Sequence, residues 1–415
     1  MAAETFETRD VVIVGGGPAG LAAAVELYNK GIENIIILER EKSLGGILRQ
    51  CIHDGFGLTR FRELLSGPEY ADRFIKEVVS RKIPYRTNTS VINISPEHIV
   101  TAVSPEGLIT IKAKAVILGM GCRERTRGAL QIPGERPSGV LTAGVAQAYI
   151  NLFNRKIGRE IVVLGSGDIG LIMARRLSLE GAHVHAVYEI QSTPSGLPRN
   201  IRQCLEDFNI PLYLSHTVTD IKGGSRITSV VVSKVDSDMK PIPGTEEEIP
   251  CDTLILSVGL IPENELSLDC GIKLDPHTKG AVVDEFFQTS VKGIFAAGNV
   301  LHVHDLVDNV SLEAESLADS VAEYLGTQFL PESGIDISYD RNINHVVPQR
   351  ISGKKDIILS FRVTRELYGK SVAIMQGGSE VLVKKIKKMT PAEMIRIPVM
   401  CDKLNSDCNL EVCIR

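Results

Sequence analysis

The stretch Val11-Val12-Ile13-Val14-Gly15-Gly16-Gly17-Pro18-Ala19-Gly20 decides how this chain begins to fold. Its four leading residues form an unbroken apolar run, which suits a parallel strand buried on both faces. The glycines spell G-x-G-x-x-G and open a helical stretch through Leu21, Val25 and Leu27. A second strand, Ile35-Ile36-Ile37-Leu38, ends on Glu39. Each residue type has a physical task in this strand–turn–helix–strand order. Gly15 permits the tight turn. Gly17 lets backbone N–H groups approach a pyrophosphate at the helix N-terminus, where the helix dipole favours negative charge. Gly20 lets helix and strand pack closely, and Glu39 can accept hydrogen bonds from a ribose diol.

The device occurs twice. Ile161-Val162-Val163-Leu164 enters Gly165-Ser166-Gly167-Asp168-Ile169-Gly170, a helix follows, and the strand Val184–Tyr188 ends on Glu189. From Gly15 to Glu39 is 24 positions, and from Gly165 to Glu189 is also 24. One glycine-rich turn is weak evidence. Two copies in the same setting, each with an acid at the same offset, are strong evidence for two dinucleotide sites. Glu189 would repel a 2′-phosphate, so the second site favours NAD(H) over NADP(H). Arg199 and Arg202 downstream are the residues that could reverse this.

Composition excludes other classes. The 415 residues suffice for two or three domains, and 43% hydrophobic with 23% charged is an ordinary globular balance. A net charge of −5 gives no nucleic-acid footprint. No apolar run is long enough to span a bilayer, and no signal-peptide core opens the sequence. A cytoplasmic protein with reduced thiols is expected, although eight cysteines are present.

Further motifs carry a resemblance to the two-dinucleotide-domain flavoproteins, the superfamily of thioredoxin reductase. Leu44-Gly45-Gly46-Ile47 resembles its double glycine beside the flavin. Val116-Ile117-Leu118-Gly119-Met120-Gly121 and Leu254-Ile255-Leu256-Ser257-Val258-Gly259 resemble the two crossovers. Gly293-Ile294-Phe295-Ala296-Ala297-Gly298-Asn299 resembles the late FAD motif, with Asn299 where the family usually has Asp. The likeness spans about residues 10–330. It implies an α/β fold of two Rossmann-like domains plus a small C-terminal β-rich appendage. The FAD domain is expected at 1–127 and 263–330, an inserted NAD domain at 128–262, and the appendage at 335–415. FAD contacts are implied for Gly15, Gly17, Pro18, Ala19, Gly20, Glu39 and Arg40. Further contacts are implied for Gly46, Ile47, Leu48, Val91, Gly121, Gly298 and Asn299. NAD(H) contacts are implied for Gly165, Gly167, Asp168, Ile169, Gly170, Glu189 and Gly259. A helix over Ser311–Tyr324 is expected to aim its N-terminus at the flavin pyrimidine.

The family's dithiol is missing. Gly139–Gln147, where thioredoxin-reductase-like enzymes carry Cys-x-x-Cys, holds no cysteine. After the double glycine only Cys51 follows, in Gln50-Cys51-Ile52-His53. Cys51 and His53 are the catalytic candidates. His53 serves as proton donor or hydrogen-bond tuner at the flavin, or it caps a turn. Cys51 is a sulfenic-acid-forming thiol, or it is an inert buried hydrophobe. Cys122–Arg127 reads as a solvated basic linker. His302, His304 and Asp305 suit a role near the flavin better than metal ligation, and a structural loop fits them equally.

Residues 45–57, 121–130 and 296–305 are similar to a cysteine-pair-free branch. That branch is met as the second flavoprotein subunit of anaerobic glycerol-3-phosphate dehydrogenase systems. The likeness implies hydride exchange between nicotinamide C4 and flavin N5. It also implies two partners, a second flavoprotein dehydrogenase subunit and a small cysteine-rich iron–sulfur protein. Two rivals are a stand-alone NADH oxidase or peroxidase using Cys51, and a non-catalytic scaffold stabilised by nucleotide.

In the appendage, Asp356–Val363 reads as a strand, and Gly377-Gly378 signals a hairpin between Ser371–Gln376 and Ser379–Ile386. Its expected role is subunit contact, with a lid covering the core as the alternative. Cys401, Cys408 and Cys413 are one ligand short of a cluster. An iron–sulfur cluster shared with a partner and a tail of ordinary thiols both remain open.

Overall fold

The computed structural model describes residues 3–415. The chain divides into two compact units, Met1–Cys122 with Pro262–Arg415, and Arg123–Ile261.

In the first unit, the strand Ala3–Val14 pairs in parallel with Ile35–Leu38 on one side and Gly107–Leu118 on the other. Ile294–Ala296 returns from far down the chain to extend this parallel core beside Gly107–Leu118. Val11 and Ile13 enter one apolar cluster, with the helices Pro18–Asn29, Gly67–Ser80 and Val307–Thr327. Val12 and Val14 enter another, on the opposite face. Successive strand residues thus bury both ways, which is why the run has no polar alternation. An antiparallel meander, Ser90–Ile94 with Ile99–Ser104, extends the sheet at the first half of Gly107–Leu118.

The second unit repeats the plan. Its parallel sheet runs in the order Val140–Thr142, Thr253–Leu256, Glu160–Leu164, His183–Glu189, Leu212–Leu214. Helices Ala143–Asn151 and Asp168–Leu179 cover one face. An antiparallel three-stranded sheet built from His216–Lys222, Ser229–Lys234 and Glu247–Pro250 covers the other.

The appendage has its own apolar core, from Ile335 and Phe361 to Val412. The expected hairpin forms between Leu367–Gln376 and Ser379–Met389, with Gln376 opposite Ser379 across the two glycines. The strand expected at Asp356–Val363 forms as Ile357–Val363. The helix expected at Ser311–Tyr324 runs longer, over Val307–Thr327. Among the described residues, no helix is long and apolar enough to cross a membrane.

Candidate functional site

In the first unit the fingerprint becomes a cradle because glycine allows contacts that a side chain would forbid. A Cβ on Gly20 would lie 1.9 Å from the Gly15 carbonyl oxygen, so the helix start can press on the turn only without one. Gly46, at φ +55°, faces Gly17 so closely that a Cβ would stand 3.0 Å from the Gly17 Cα. The Gly45 N–H donates to the Gly16 carbonyl at 2.8 Å. The double glycine therefore lies backbone to backbone against the fingerprint. Glu39 is buried at the end of its strand. Its carboxylate accepts from Gly16 N at 2.7 Å and Glu41 N at 2.8 Å. These contacts fix the acid at the turn, the position from which the fingerprint's acid would reach a ribose diol.

The late motif closes onto the same place. Gly298 sits against Ala19 and Val310. Asn299 Oδ1 accepts from the His304 N–H at 3.0 Å, and Asn299 Nδ2 donates to Cys122 Sγ at 3.6 Å. Gly15, Gly17, Ala19, Gly20, Glu39, Gly46, Gly298 and Asn299 are thereby gathered, with Pro18 at the helix start. Other expected contacts lie differently. Leu48 turns into the apolar core. Ile47 is exposed, and exposed Arg40 approaches Glu263 at 3.7 Å. Val91 packs against the second apolar cluster, on a strand just after Thr89, whose N–H donates to the Glu39 carbonyl at 2.9 Å. Gly121 accepts from the Glu263 N–H at 3.0 Å.

Two acids of the last helix organise this cradle, and neither stood out in the sequence. Asp308, buried in its first turn, accepts from the N–H groups of Gly57 and Thr59 at 3.0 Å and of Arg60 at 2.7 Å. This pins the segment that carries Cys51 and His53. An acid in a first helical turn was the available signal. Glu313 accepts from Gly298 N at 2.8 Å, from His302 Nε2 at 2.7 Å and from His304 Nε2 at 3.3 Å. Burial alone would raise its pKa, but the two imidazoles and their hydrogen bonds outweigh that and hold it well below the usual carboxylate value. Burial in turn lowers the pKa of His302. His302, His304 and Glu313 thus form a buried hydrogen-bonded cluster under the flavin-motif loop. The sequence puts His304 near the flavin motif, whereas its anchor Glu313 emerges only from the fold.

Cys51 closes a short 3-10 turn, Gly46–Gln50, and its Sγ donates to the Ile47 carbonyl at 3.4 Å. Burial pushes its thiol up to about 12, so it stays protonated at neutral pH. That environment is the reverse of the electropositive setting a nucleophilic thiolate needs. The His53 ring packs on Phe56, with centroids 4.9 Å apart.

The second unit builds the matching cradle. Glu189 is buried. Its Oε2 accepts from Ser166 N at 2.9 Å and Ser166 Oγ at 2.6 Å, and its Oε1 accepts from Gln191 N at 3.0 Å. Gly165, Gly167 and Gly170 press on Ser257, whose hydroxyl accepts from the Gly170 N–H at 3.0 Å. Ile169 follows Asp168 at the start of the helix. Asp168 Oδ1 accepts from Leu197 N at 2.8 Å and Asn200 Nδ2 at 2.7 Å, which ties the fingerprint to the start of the helix Pro198–Cys204. Gly259 lies near the Arg125 side chain. Arg199 is exposed in the short helix Pro198–Cys204.

Residues 9–314 match the family model described as pyridine nucleotide-disulphide oxidoreductase. The chain belongs to that family. The match covers both cradles and stops before the appendage. Hydrogen cyanide synthase subunit HcnB of Pseudomonas protegens is 27% identical over 70% of this chain and 65% of its own length. The small chain of Escherichia coli glutamate synthase [NADPH] is 26% identical over 76% of this chain and 69% of its own length. T. acidophilum thioredoxin reductase superposes with a TM-score of 0.63 at 26% identity, over 76% of this chain and 98% of its own. As a member of this family, the chain is a flavoprotein oxidoreductase that uses FAD and NAD(P)H. The backbone-to-backbone glycine cradle and the anchored ribose acid fit FAD at the first unit. Bound there, FAD supplies a two-electron centre for a nicotinamide hydride. Among the described residues, two groups bring three metal-ligating side chains together, and neither contains a cysteine. Cys401, Cys408 and Cys413 lie on a short 3-10 turn, beside Gly377 and on the last strand, respectively.

Proposed function

We propose that this chain is a cytoplasmic electron-transfer subunit. It exchanges hydride with NAD(H) through FAD and passes electrons to a partner flavoprotein or iron–sulfur subunit, in a complex of the glycerol-3-phosphate dehydrogenase kind. The observation that carries the reading is the seating of the appendage on the flavin-motif loop. Arg362 Nη2 donates to the Val303 carbonyl at 3.1 Å, Arg396 Nη1 donates to Asn309 Oδ1 at 2.7 Å, and Met394 N reaches Asp305 Oδ2 at 3.4 Å. A domain outside the family model is thus fastened beside the late glycine motif, which suits a surface that receives an electron partner. The family's two-cysteine relay is absent from the sequence, and the thiol of Cys51 is protonated, which favours an exit to another protein. Two relatives are themselves named as a subunit and a small chain, which supports an assembly. Likeness at residues 45–57, 121–130 and 296–305 supports the choice of complex.

This chain's residues have positional roles. Gly17 lets backbone N–H groups approach phosphate, Gly46 lies in the double glycine beside the flavin, Glu39 and Glu189 hold ribose, and Gly298 with Asn299 carries the loop under the flavin. Buried Glu189 without an adjacent arginine favours NAD(H) over NADP(H). The test is an anaerobic titration of the FAD-loaded chain with NADH, followed by co-purification of partners from the native host. Bleaching of the flavin absorbance is expected, together with recovery of a second flavoprotein and a small cysteine-rich chain. Flavin that stays oxidised under excess NADH would overturn the reading.

A further inference from the structure

The second unit holds a cluster that the dinucleotide chemistry does not use. Glu160 opens the strand Glu160–Leu164 and stands opposite His183, the first residue of the neighbouring strand. Register then shifts, with Ile161 facing Val184 and Val162 facing Ala186, so His185 is the extra residue of a bulge. A bulge re-aims a side chain. Here the His183 and His185 ring centroids lie 4.4 Å apart. His183 Nδ1 lies 2.9 Å from Glu160 Oε2, and His185 Nε2 lies 2.8 Å from the same oxygen.

Two nitrogens and one oxygen therefore converge. A carboxylate oxygen shared by two imidazoles can be a surface hydrogen-bond pair, and the His183 contact has that geometry. The His185 contact does not. Its Nε2 is buried and makes no hydrogen bond, despite its closeness to the carboxylate. The buried cluster under the flavin loop behaves differently, because both of its Nε2 atoms bond Glu313 in good geometry. An imidazole nitrogen that is close to a carboxylate but aimed past it is placed as a metal ligand would be.

We propose that Glu160, His183 and His185 form a surface site for one borderline divalent cation of the zinc, nickel or copper class. A set of two imidazoles and one carboxylate suits those ions and not magnesium or calcium, which take oxygen ligands. Ligand bonds of roughly 2.0–2.2 Å need the donors to spread by a few tenths of an ångström. Side chains that are 63% exposed at His183 and 51% at Glu160 can do this. The strands already hold the three side chains together, so little ordering is left for binding to impose. Exposure leaves the remaining coordination positions to water or to a donor from a neighbouring molecule. The site lies at the N-terminal edge of the parallel sheet, whereas Gly165 and Glu189 lie at the C-terminal edge. The ion therefore acts as a fastening or docking point and takes no part in hydride transfer.

The experiment is zinc titration calorimetry on the chelator-treated, FAD-loaded full chain, with cobalt(II) absorption as a second readout. The wild type is expected to take up zinc with an affinity that the double variant His183→Ala/His185→Ala lowers by at least about tenfold. The flavin spectrum of that variant is expected to be unchanged. Cobalt should give the weak bands of nitrogen and oxygen ligation. An isotherm identical in wild type and double variant overturns the proposal, as does absence of uptake by the wild type. A strong thiolate-to-cobalt band that survives in the double variant overturns it too, because it assigns the ion to cysteines. Uptake lost in His302→Asn but kept in the double variant overturns it as well, because it moves the ion to the buried cluster.

Discussion

Replacing Glu313 with alanine tests whether the last helix holds the flavin-motif loop in place. The carboxylate is 7% exposed, and three donors point at it, from Gly298, His302 and His304. Alanine removes the acceptor and leaves three buried donors without it. Breaking a buried charge-assisted set by deleting one partner costs about 3–5 kcal/mol. Glutamine keeps the shape and one acceptor oxygen, but turns an NH2 toward a donor. Its cost is about 1–3 kcal/mol, that of one mismatched buried group. The assay is urea unfolding at neutral pH on the apo chain and on the FAD-loaded chain, with flavin release followed in parallel. Both variants should unfold at lower urea, alanine more than glutamine, and both should release FAD more readily because Gly298 loses its anchor. Alanine within about 0.5 kcal/mol of wild type, the range of a neutral surface change, would refute the reasoning.

Other outcomes follow from the same contacts. Gly20→Ala puts a Cβ 1.9 Å from the Gly15 carbonyl oxygen, so the purified chain should lose FAD, measured as the ratio of flavin to protein absorbance. Cys51→Ser should keep most NADH-dependent electron transfer, because the thiol is already protonated at neutral pH; abolished turnover would restore Cys51 as a nucleophile. His345 is buried, and its pKa is lowered from 6.5 to about 3, mainly by burial. The folded state thus binds fewer protons than the unfolded chain between these values, so stability rises with pH across that window. His345→Asn should flatten the slope of unfolding free energy against pH there by up to about 1.4 kcal/mol per pH unit. A slope equal to wild type would count against it.

The sequence alone determined what local pattern can encode. An unbroken apolar run must bury both faces, and Val11 to Val14 do so. A glycine at a fixed offset marks a place where backbone must touch backbone, as at Gly20 and Gly46. Gly377-Gly378 between two β-forming stretches signals the turn that forms there. The tertiary structure decided what depends on distant residues meeting. Asp308 binds the Gly57 N–H across 251 positions, a pairing with no trace in either segment. Glu313 looks like one more helix acid until the fold sets His302, His304 and Gly298 around it. Cys51 reads either as a redox thiol beside a flavin motif or as an inert hydrophobe, and its burial decides for a group held protonated. The physical reason is common to all three. Backbone conformation is written in nearby residues, whereas desolvation and hydrogen-bond partnership are set by whatever the rest of the chain packs against them.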